Sequence, residues 1–355
     1  MKLEEIIEIL ACPICHGSLF LGIGSLRCDP CNRNYSIVNG IPILIDGIEE
    51  PIGKASLVYG DPRGVRDFFN KRVYEIQRAH YGLDRLPSSG LVIDVGCGPG
   101  VSSMVAARRG LRVIGMDISF EMVAFARQKA HELGVEGCLF LVGDSQKLPF
   151  RSGSVDWILN YANLAHIRDP ERCLADMARV ASKDGKVIIQ SINHFCLPGL
   201  RRSKEGLGVQ LQTFGRFLLD AFKPSRITKD HYRLDNSMHT HEEKKANSSI
   251  RIDTHDIVSF LIHNLCRKYY EILHYETFPN FHGWHDRLLP DLSTEKVRRR
   301  GAYRLKDSLF GVCQRIPFIH HMGTDIFLVC QPLSNKVPEM VGAPSEQTGV
   351  SQSHA

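Results

Sequence analysis

Short apolar runs alternate with amphipathic stretches through the middle of the chain. Residues 91–95, 112–116, 139–142, 155–159 and 186–192 are runs of strand length, rich in Val, Ile and Leu. Between them, 101–109, 120–133 and 172–180 carry apolar residues at helical spacing. Such alternation predicts an α/β fold, a parallel sheet with helices on both faces. Two later segments, 269–278 and 324–331, read as further strands. Upstream, Phe68, Phe69, Val73, Ile76 and Ala79 recur at helix-like spacing until Pro87-Ser88-Ser89-Gly90 ends the segment. After Ser191 the alternation stops. Residues 193–252 are polar, with one apolar helix at 209–222, and Asp253-Thr254 is placed to cap a helix at 256–266. The pattern divides the chain into a small unit at 1–48, a helical linker at 49–88 and a large domain at 89–332 with insertions at 193–252 and 279–322. A tail rich in Ser, Pro, Gly and Gln follows at 333–355, of disordered composition.

Charge narrows the partners. Over 355 residues the net charge is +5. A dedicated nucleic-acid binder concentrates its Lys and Arg more strongly, so an anionic partner is permitted and not required. A run of about 18 apolar residues, the length that crosses a bilayer, does not occur. The acidic start MKLEEIIEIL lacks the pattern of a secretion signal, which makes the cytoplasm the expected compartment.

Eleven cysteines change the picture more. Cys12-Pro-Ile-Cys15 and Cys28-Asp-Pro-Cys31 form two pairs separated by twelve residues. Each pair can clamp one side of a tetrahedral ion, and four thiolates close the shell, so the expected ion is a structural zinc. Two redox pairs are the alternative, but neither has a thioredoxin-like strand–helix context. A segment this short needs such a staple to fold. The other seven cysteines are scattered, mostly in apolar surroundings where Cys acts as a small hydrophobe.

The central chemical signal is Val92-Ile93-Asp94-Val95-Gly96-Cys97-Gly98-Pro99-Gly100. A strand ends, the chain turns on glycines and a helix begins. Glycine lets a ligand approach the backbone, and the helix start offers unpaired N–H groups. A dinucleotide-binding dehydrogenase would share this turn. Its context is more specific: Asp117 ends the second strand, where a carboxylate can hold two ribose hydroxyls. Asp144-Ser145 follows the third strand, and Asn160-Tyr161 the fourth.

With these residues in place, 91–192 resembles the class I S-adenosylmethionine-dependent methyltransferases, in the small-molecule and ubiquinone-biosynthesis-like branch. The resemblance implies a Rossmann-like doubly wound sheet of seven strands. It implies that Asp94 and the turn of Gly96, Gly98 and Gly100 face the methionine part of the cofactor. Asp117, with Ile118 beside it, would hold the ribose, Asp144 and Ser145 would border the adenine, and Asn160 and Tyr161 would lie beside the sulfonium. His166 falls where the family often has a histidine, either catalytic or structural. The stretch from Arg179-Val180 to Asp184-Gly185 is similar to the family's turn into its fifth strand, with Asp184 in place of a glycine. Residues 8–46, with Tyr35-Ser36-Ile37-Val38-Asn39-Gly40-Ile41-Pro42-Ile43-Leu44 after the cysteines, resemble the Trm112-like zinc-ribbon domain, except that Asn32 stands where glycine is common.

The acceptor of the methyl group is chosen elsewhere. In doubly wound folds ligands bind outside the carboxyl ends of the strands, which places the two insertions over the site. His282 and His285, in Phe281-His-Gly-Trp-His-Asp, are candidate general bases with His166, since imidazole titrates near neutral pH. His239, His241 and Glu242 are a weaker second metal set, and most of these histidines would equally suit exposed loops. Lys296-Val-Arg298-Arg299-Arg300 beside an apolar segment suits an anionic membrane surface or the solvated end of a core helix. The leading expectation is methyl transfer to a small molecule, a sugar, lipid precursor or secondary metabolite, on oxygen or another heteroatom. An rRNA or tRNA base methyltransferase is the runner-up, and a non-catalytic cofactor- or partner-binding scaffold the third reading.

Overall fold

The computed structural model describes residues 1–45, 65–66, 69–70, 85–167, 169–192, 259–278 and 325–333. The expected insertions, most of the linker and the tail lie outside them.

The chain opens with four strands: β1 (Phe20–Leu21), β2 (Ser25–Cys28), β3 (Arg33–Val38) and β4 (Ile41–Leu44). Each pairs antiparallel with the next. Asn39 and Gly40, at φ 50° and 74°, form the two-residue loop between β3 and β4. Two successive left-handed residues give the turn whose twist suits a hairpin, and Asn-Gly is the pair that adopts it most readily.

The large domain has β5 (Leu91–Val95), α1 (Val101–Arg108), β6 (Arg112–Asp117), α2 (Phe120–Glu132), β7 (Cys138–Gly143) and β8 (Val155–Tyr161). It continues with α3 (Pro170–Val180), β9 (Ala181–Ile192), α4 (Ser259–Tyr269), β10 (Tyr270–Phe278) and β11 (Asp325–Pro332). Helix starts follow local chemistry. The Ser119 hydroxyl accepts from Met122 N to cap α2, and the Asp169 carboxylate accepts from Arg172 N to cap α3, with Pro170 at its first position. The strand expected at 186–192 begins earlier, at Ala181. Val155 pairs with Ala181 and Trp157 with Lys186, so the polar residues 182–185 bulge out and carry no apolar signal.

Strands run in the order β1-β2-β3-β4-β7-β6-β5-β8-β9-β11-β10. From β7 through β9 the pairing is parallel; β11 runs antiparallel between β9 and β10. Apolar residues on the two faces build two cores. Val92, Val113, Leu159 and Ile188 meet Met104 and Val105 of α1 and Val123 and Ala126 of α2. Ile93, Ile114, Ile158 and Ile189 meet Leu174 and Met177 of α3 and Ile262 of α4. The chain builds outward from β5 to β7, then returns to β8 on the other side of β5. That reversal opens a crevice at the carboxyl ends of β5 and β8.

The N-terminal ribbon is joined to this sheet. β4 pairs parallel with β7, Ile43 with Val142 and Leu44 with Gly143. Leu10 bridges Phe150, with Ala11 N donating to Pro149 O and Arg151 N to Ile9 O, both at 2.9 Å. Ile6, Leu10, Leu26 and Tyr35 belong to the same buried cluster as α3. On the other edge of that contact, Arg179, 3% exposed, donates to Phe150 O and Leu148 O and pairs with Asp176 at 2.6 Å. Asp176 accepts from Leu148 N. Removing one partner of such a buried pair costs about 3–5 kcal/mol, because the other charge is left alone. Phe69, from the linker, packs on Phe125 of α2 with ring centres 5.5 Å apart. Among the described residues no helix is long and apolar enough to cross a membrane.

Candidate cofactor crevice and metal centre

The glycine turn is held against β6: Gly96 N and Cys97 N both donate to Met116 O, at 2.8 and 2.9 Å. Gly96 and Gly100 have φ of +75° and +79°. A Cβ on Gly96 would lie 2.3 Å from Asn163 Cγ, and one on Gly100 would lie 2.7 Å from Ala126 Cβ. Backbone conformation and space therefore both demand glycine. Asp94, 1% exposed, accepts the hydroxyls of Ser102 and Ser103 on Oδ2, at 2.7 and 2.6 Å. Its carboxylate thus ties the strand end to the first turn of α1.

Asp117 lies across the turn. Its Oδ2 accepts from Gly98 N and its Oδ1 from Ser119 N, each at 2.9 Å. Burial pushes this carboxyl above its ordinary value, while the N–H groups of Ser119, Gly98 and Ile118 pull against it. Each oxygen keeps a lone pair for a further donor. Ile118 is 56% exposed, an apolar side chain bare to solvent beside that carboxylate. Asp144 Oδ1 accepts from the backbone and side chain of Gln146, which curls the loop after β7. Ser145 Oγ meets Asn163 Nδ2 at 3.2 Å.

At the end of β8, Asn160 is fully buried, and among the described residues neither amide atom has a hydrogen-bond partner. A buried unpaired polar group costs about 1–3 kcal/mol, which a polar ligand would offset. Tyr161 is buried in the core shared with α1 and α2. His166 is exposed, in a short turn (Leu164–His166) past β8. His282 and His285 lie outside the described residues, as do His239, His241, Glu242 and the basic run at 296–300. The expected cofactor residues thus gather at the ends of β5, β6, β7 and β8. Asn163 joins them and was not expected from sequence. Ala162, a non-glycine at φ +51°, turns the chain there, and no periodic pattern announces such a turn. The crevice suits an adenosyl group: a carboxylate with spare acceptors, an exposed aliphatic face, a backbone turn stripped of Cβ atoms and an orphaned amide. S-adenosylmethionine, when bound, supplies a methyl group already activated by the sulfonium.

In the ribbon, the sulfurs of Cys12, Cys15, Cys28 and Cys31 all lie within 4.8 Å of one another. Cys12 and Cys31 are 3.6 Å apart and Cys15 and Cys28 3.4 Å. A tetrahedron with Zn–S bonds of about 2.3 Å has edges of about 3.8 Å, so the donor set suits zinc. Cys12 Sγ is 3.0 Å from the Tyr35 hydroxyl and Cys15 Sγ accepts from Gly17 N at 3.4 Å. Burial pushes the Cys12 thiol up, but hydrogen bonds from Tyr35 and the local backbone outweigh it and bring it down to about 7. Asn32 takes the left-handed conformation, φ 52°, that a glycine would otherwise supply. Between this ribbon and α3 is an open cleft lined by His16, Gln146, Lys147 and Arg172 among others. None of the expected cofactor residues lines it.

The doubly wound sheet, with its last strand antiparallel and its crevice beside β5, defines a class I methyltransferase. The family model for a methyltransferase domain matches residues 93–189, and that for Trm112p-like proteins matches residues 4–40. The phosphatidylethanolamine N-methyltransferase of Cereibacter sphaeroides is 32% identical over 154 residues, 43% of this chain and 72% of that protein. The demethylmenaquinone methyltransferase of Thermobifida fusca (strain YX) is 32% identical over 115 residues, 32% of this chain and 49% of that protein. Among solved structures, a chain from the complex of the Haloferax volcanii Trm112 methyltransferase activator with a methyltransferase aligns with a TM-score of 0.46 at 17% identity. That alignment covers 78% of this chain and 97% of the other. The chain belongs to the S-adenosylmethionine-dependent methyltransferases, and its N-terminus is Trm112-like.

Proposed function

We propose that the protein methylates a small-molecule acceptor, a sugar, lipid precursor or secondary metabolite, on oxygen or another heteroatom. The cofactor lies across the carboxyl ends of β5 and β8, and the ribbon holds a structural zinc ion. The observation that carries the reading is Asp117, whose two oxygens are anchored by the backbone N–H groups of Gly98 and Ser119 beside the exposed Ile118. This geometry presents a carboxylate to a pair of vicinal hydroxyls and an aliphatic surface to a flat base. The matched relatives named above are called after a phospholipid and a quinone precursor, which supports a small acceptor.

In this reading the protein's own work is binding and alignment. Asp117 receives the ribose hydroxyls. The turn at Gly96–Gly100 passes beneath the methionine part, and Asp144 and Ser145 border the adenine. Asn160 and Tyr161 bound the space where methyl and acceptor meet. Because the donor is already activated, holding a nucleophile in line is the main requirement, and a base is needed only where the acceptor must lose a proton. His166, His282 and His285 are the candidates for that base.

The test combines calorimetry with transfer of a labelled methyl group. Wild-type protein is expected to bind S-adenosylmethionine and S-adenosylhomocysteine, and Asp117→Ala to lose at least tenfold in affinity for both. With cell extract as the source of acceptor, the labelled methyl of S-adenosylmethionine should appear in the small-molecule fraction. Label recovered only in RNA would replace the proposed acceptor with a nucleic acid. No binding by the wild type would end the cofactor reading.

A further inference from the structure

The ribbon and the large domain enclose a cleft that the proposed function leaves unused. One wall is the first zinc knuckle, with Pro13, Ile14 and His16. The other is the loop after β7 and one stripe of α3. Arg172, Asp176 and Arg179 recur at helical spacing, so α3 turns a single face to the cleft. Charge there is unbalanced. Asp176 is the one carboxylate among the lining residues, and Arg179 pairs with it at 2.6 Å. Lys147 and Arg172 line the same cleft, and neither has a carboxylate partner among the described residues.

Arg172 is held in place. Its Nε donates to Gln146 O at 3.1 Å, which leaves the terminal nitrogens of the guanidinium without an acceptor among the described residues. Gln146 is itself fixed: its Oε1 accepts from Asp169 N at 3.1 Å, and its backbone N donates to Asp144 Oδ1 at 2.9 Å. His16 takes the left-handed conformation, φ 57°, which is uncommon for a residue with a side chain. Both its ring nitrogens are buried with no partner among the described residues. An imidazole carries at least one N–H in every protonation state, so a buried donor there goes unused. Leaving such a group unpaired is costly, and a ligand with acceptor oxygens would satisfy it.

Three kinds of donor thus line one cleft from three elements: an imidazole from the ribbon, an ammonium from the loop after β7 and a guanidinium from α3. A carboxylate offers two oxygens in one plane. A phosphoryl group offers three around a tetrahedral centre, which suits donors arriving from separate walls. We propose that this cleft binds a phosphoryl group, as free phosphate or a small phosphate monoester, through His16, Lys147 and Arg172. None of the expected cofactor residues lines the cleft, so phosphate binding does not depend on where S-adenosylmethionine lies. Because the ribbon supplies one wall, the site exists only in the joined molecule.

The experiment is calorimetry on the full chain at constant ionic strength, with inorganic phosphate, glycerol 1-phosphate and acetate as probes. Wild type is expected to bind at least one of the two phosphates with a Kd of about 1 mM or tighter, and acetate at least about tenfold more weakly. Tighter binding of the ester would identify a phosphorylated small molecule as the source, and tighter binding of inorganic phosphate the free ion. Lys147→Met and Arg172→Met should each weaken the phosphates by about tenfold or more, and Arg172→Lys, which keeps the charge without the fork, should recover part of the loss. The Lys147 side chain has no partner among the described residues, so Lys147→Met should melt like wild type in the absence of ligand. His16→Gly, which adopts the left-handed conformation freely, should weaken binding by roughly three- to tenfold at unchanged zinc content. Asp117→Ala should bind phosphate within about twofold of wild type. No phosphate binding by wild type would overturn the proposal. So would acetate bound as tightly as phosphate, or binding unchanged in the double variant Lys147→Met, Arg172→Met. An RNA hairpin bound through these residues in place of both small probes would give the cleft to a nucleic acid and overturn it as well. Wild type that binds phosphate but not S-adenosylmethionine would end the crevice reading and support the cleft.

Discussion

At the scale of single residues, Asp117 joins two opposed demands. In the proposed function the cofactor's ribose would use the ionised carboxylate as an acceptor, whereas burial favours the protonated form and raises the group above its ordinary 3.8. As pH falls through that raised value, the carboxylate is lost and with it the affinity for S-adenosylmethionine. Affinity is therefore expected to begin falling at a pH clearly above 3.8, with Asp117→Asn weak and pH-independent over the same range. Folding stability runs the other way. The folded state holds its proton longer than the unfolded chain, so raising the pH through the window between the two values lowers the stability contributed by this group. Calorimetry and thermal melts across an acid series separate the trends, and wild-type affinity that stays flat down to 3.8 would contradict the first. The glycines and Asp117 were legible because their meaning is local: a stripped turn, and a carboxylate one strand further on. Asn163 was not. Its contacts with Val95 and Ser145 depend on the left-handed backbone at Ala162, which a sequence does not display.

Among the elements, most strands could be read from their apolar runs, because each is buried between two helical layers and needs hydrophobic residues on both faces. The start of β9 was misplaced by the polar bulge at 182–185, where pairing persists without a pattern. The four cysteines could be read from spacing alone, since two short pairs define two edges of one tetrahedron. What sequence did not reveal is where the ribbon attaches. Parallel pairing of β4 with β7 joins Ile43 to Val142 across a long stretch of chain, and no local signal encodes such a partner. Zinc removal tests this level. One zinc per chain is expected by metal analysis. Chelation should lower the melting temperature and strip exchange protection from residues 9–44, and then from 148–151, to which Ile9 and Ala11 are hydrogen-bonded. Protein that purifies without metal, yet keeps full protection there, would count against the zinc assignment.

For the whole molecule, the doubly wound arrangement was predictable from alternation, because each helix must cross from one strand to its parallel neighbour. The acceptor was not. Chemistry on the methyl donor is common to the fold, while selection of the acceptor falls to whatever covers the strand ends, and composition alone does not order that cover. The two buried clusters also show that 1–45 and the large domain share one interior: Leu26 and Tyr35 lie in the same cluster as Leu174 and Met177.

That β4 flanks β7 has a further consequence for solubility. A sheet that ends in a long open strand invites another chain to zip onto it, and here the ribbon occupies that position against Val142 and Gly143. Deleting residues 1–45 would bare the Cys138–Gly143 flank and the aliphatic side chains beneath it. The shortened protein is expected to self-associate, giving dimers or aggregates by light scattering where the full chain stays monodisperse. A clean, stable monomer of the shortened protein would show that this flank needs no guard.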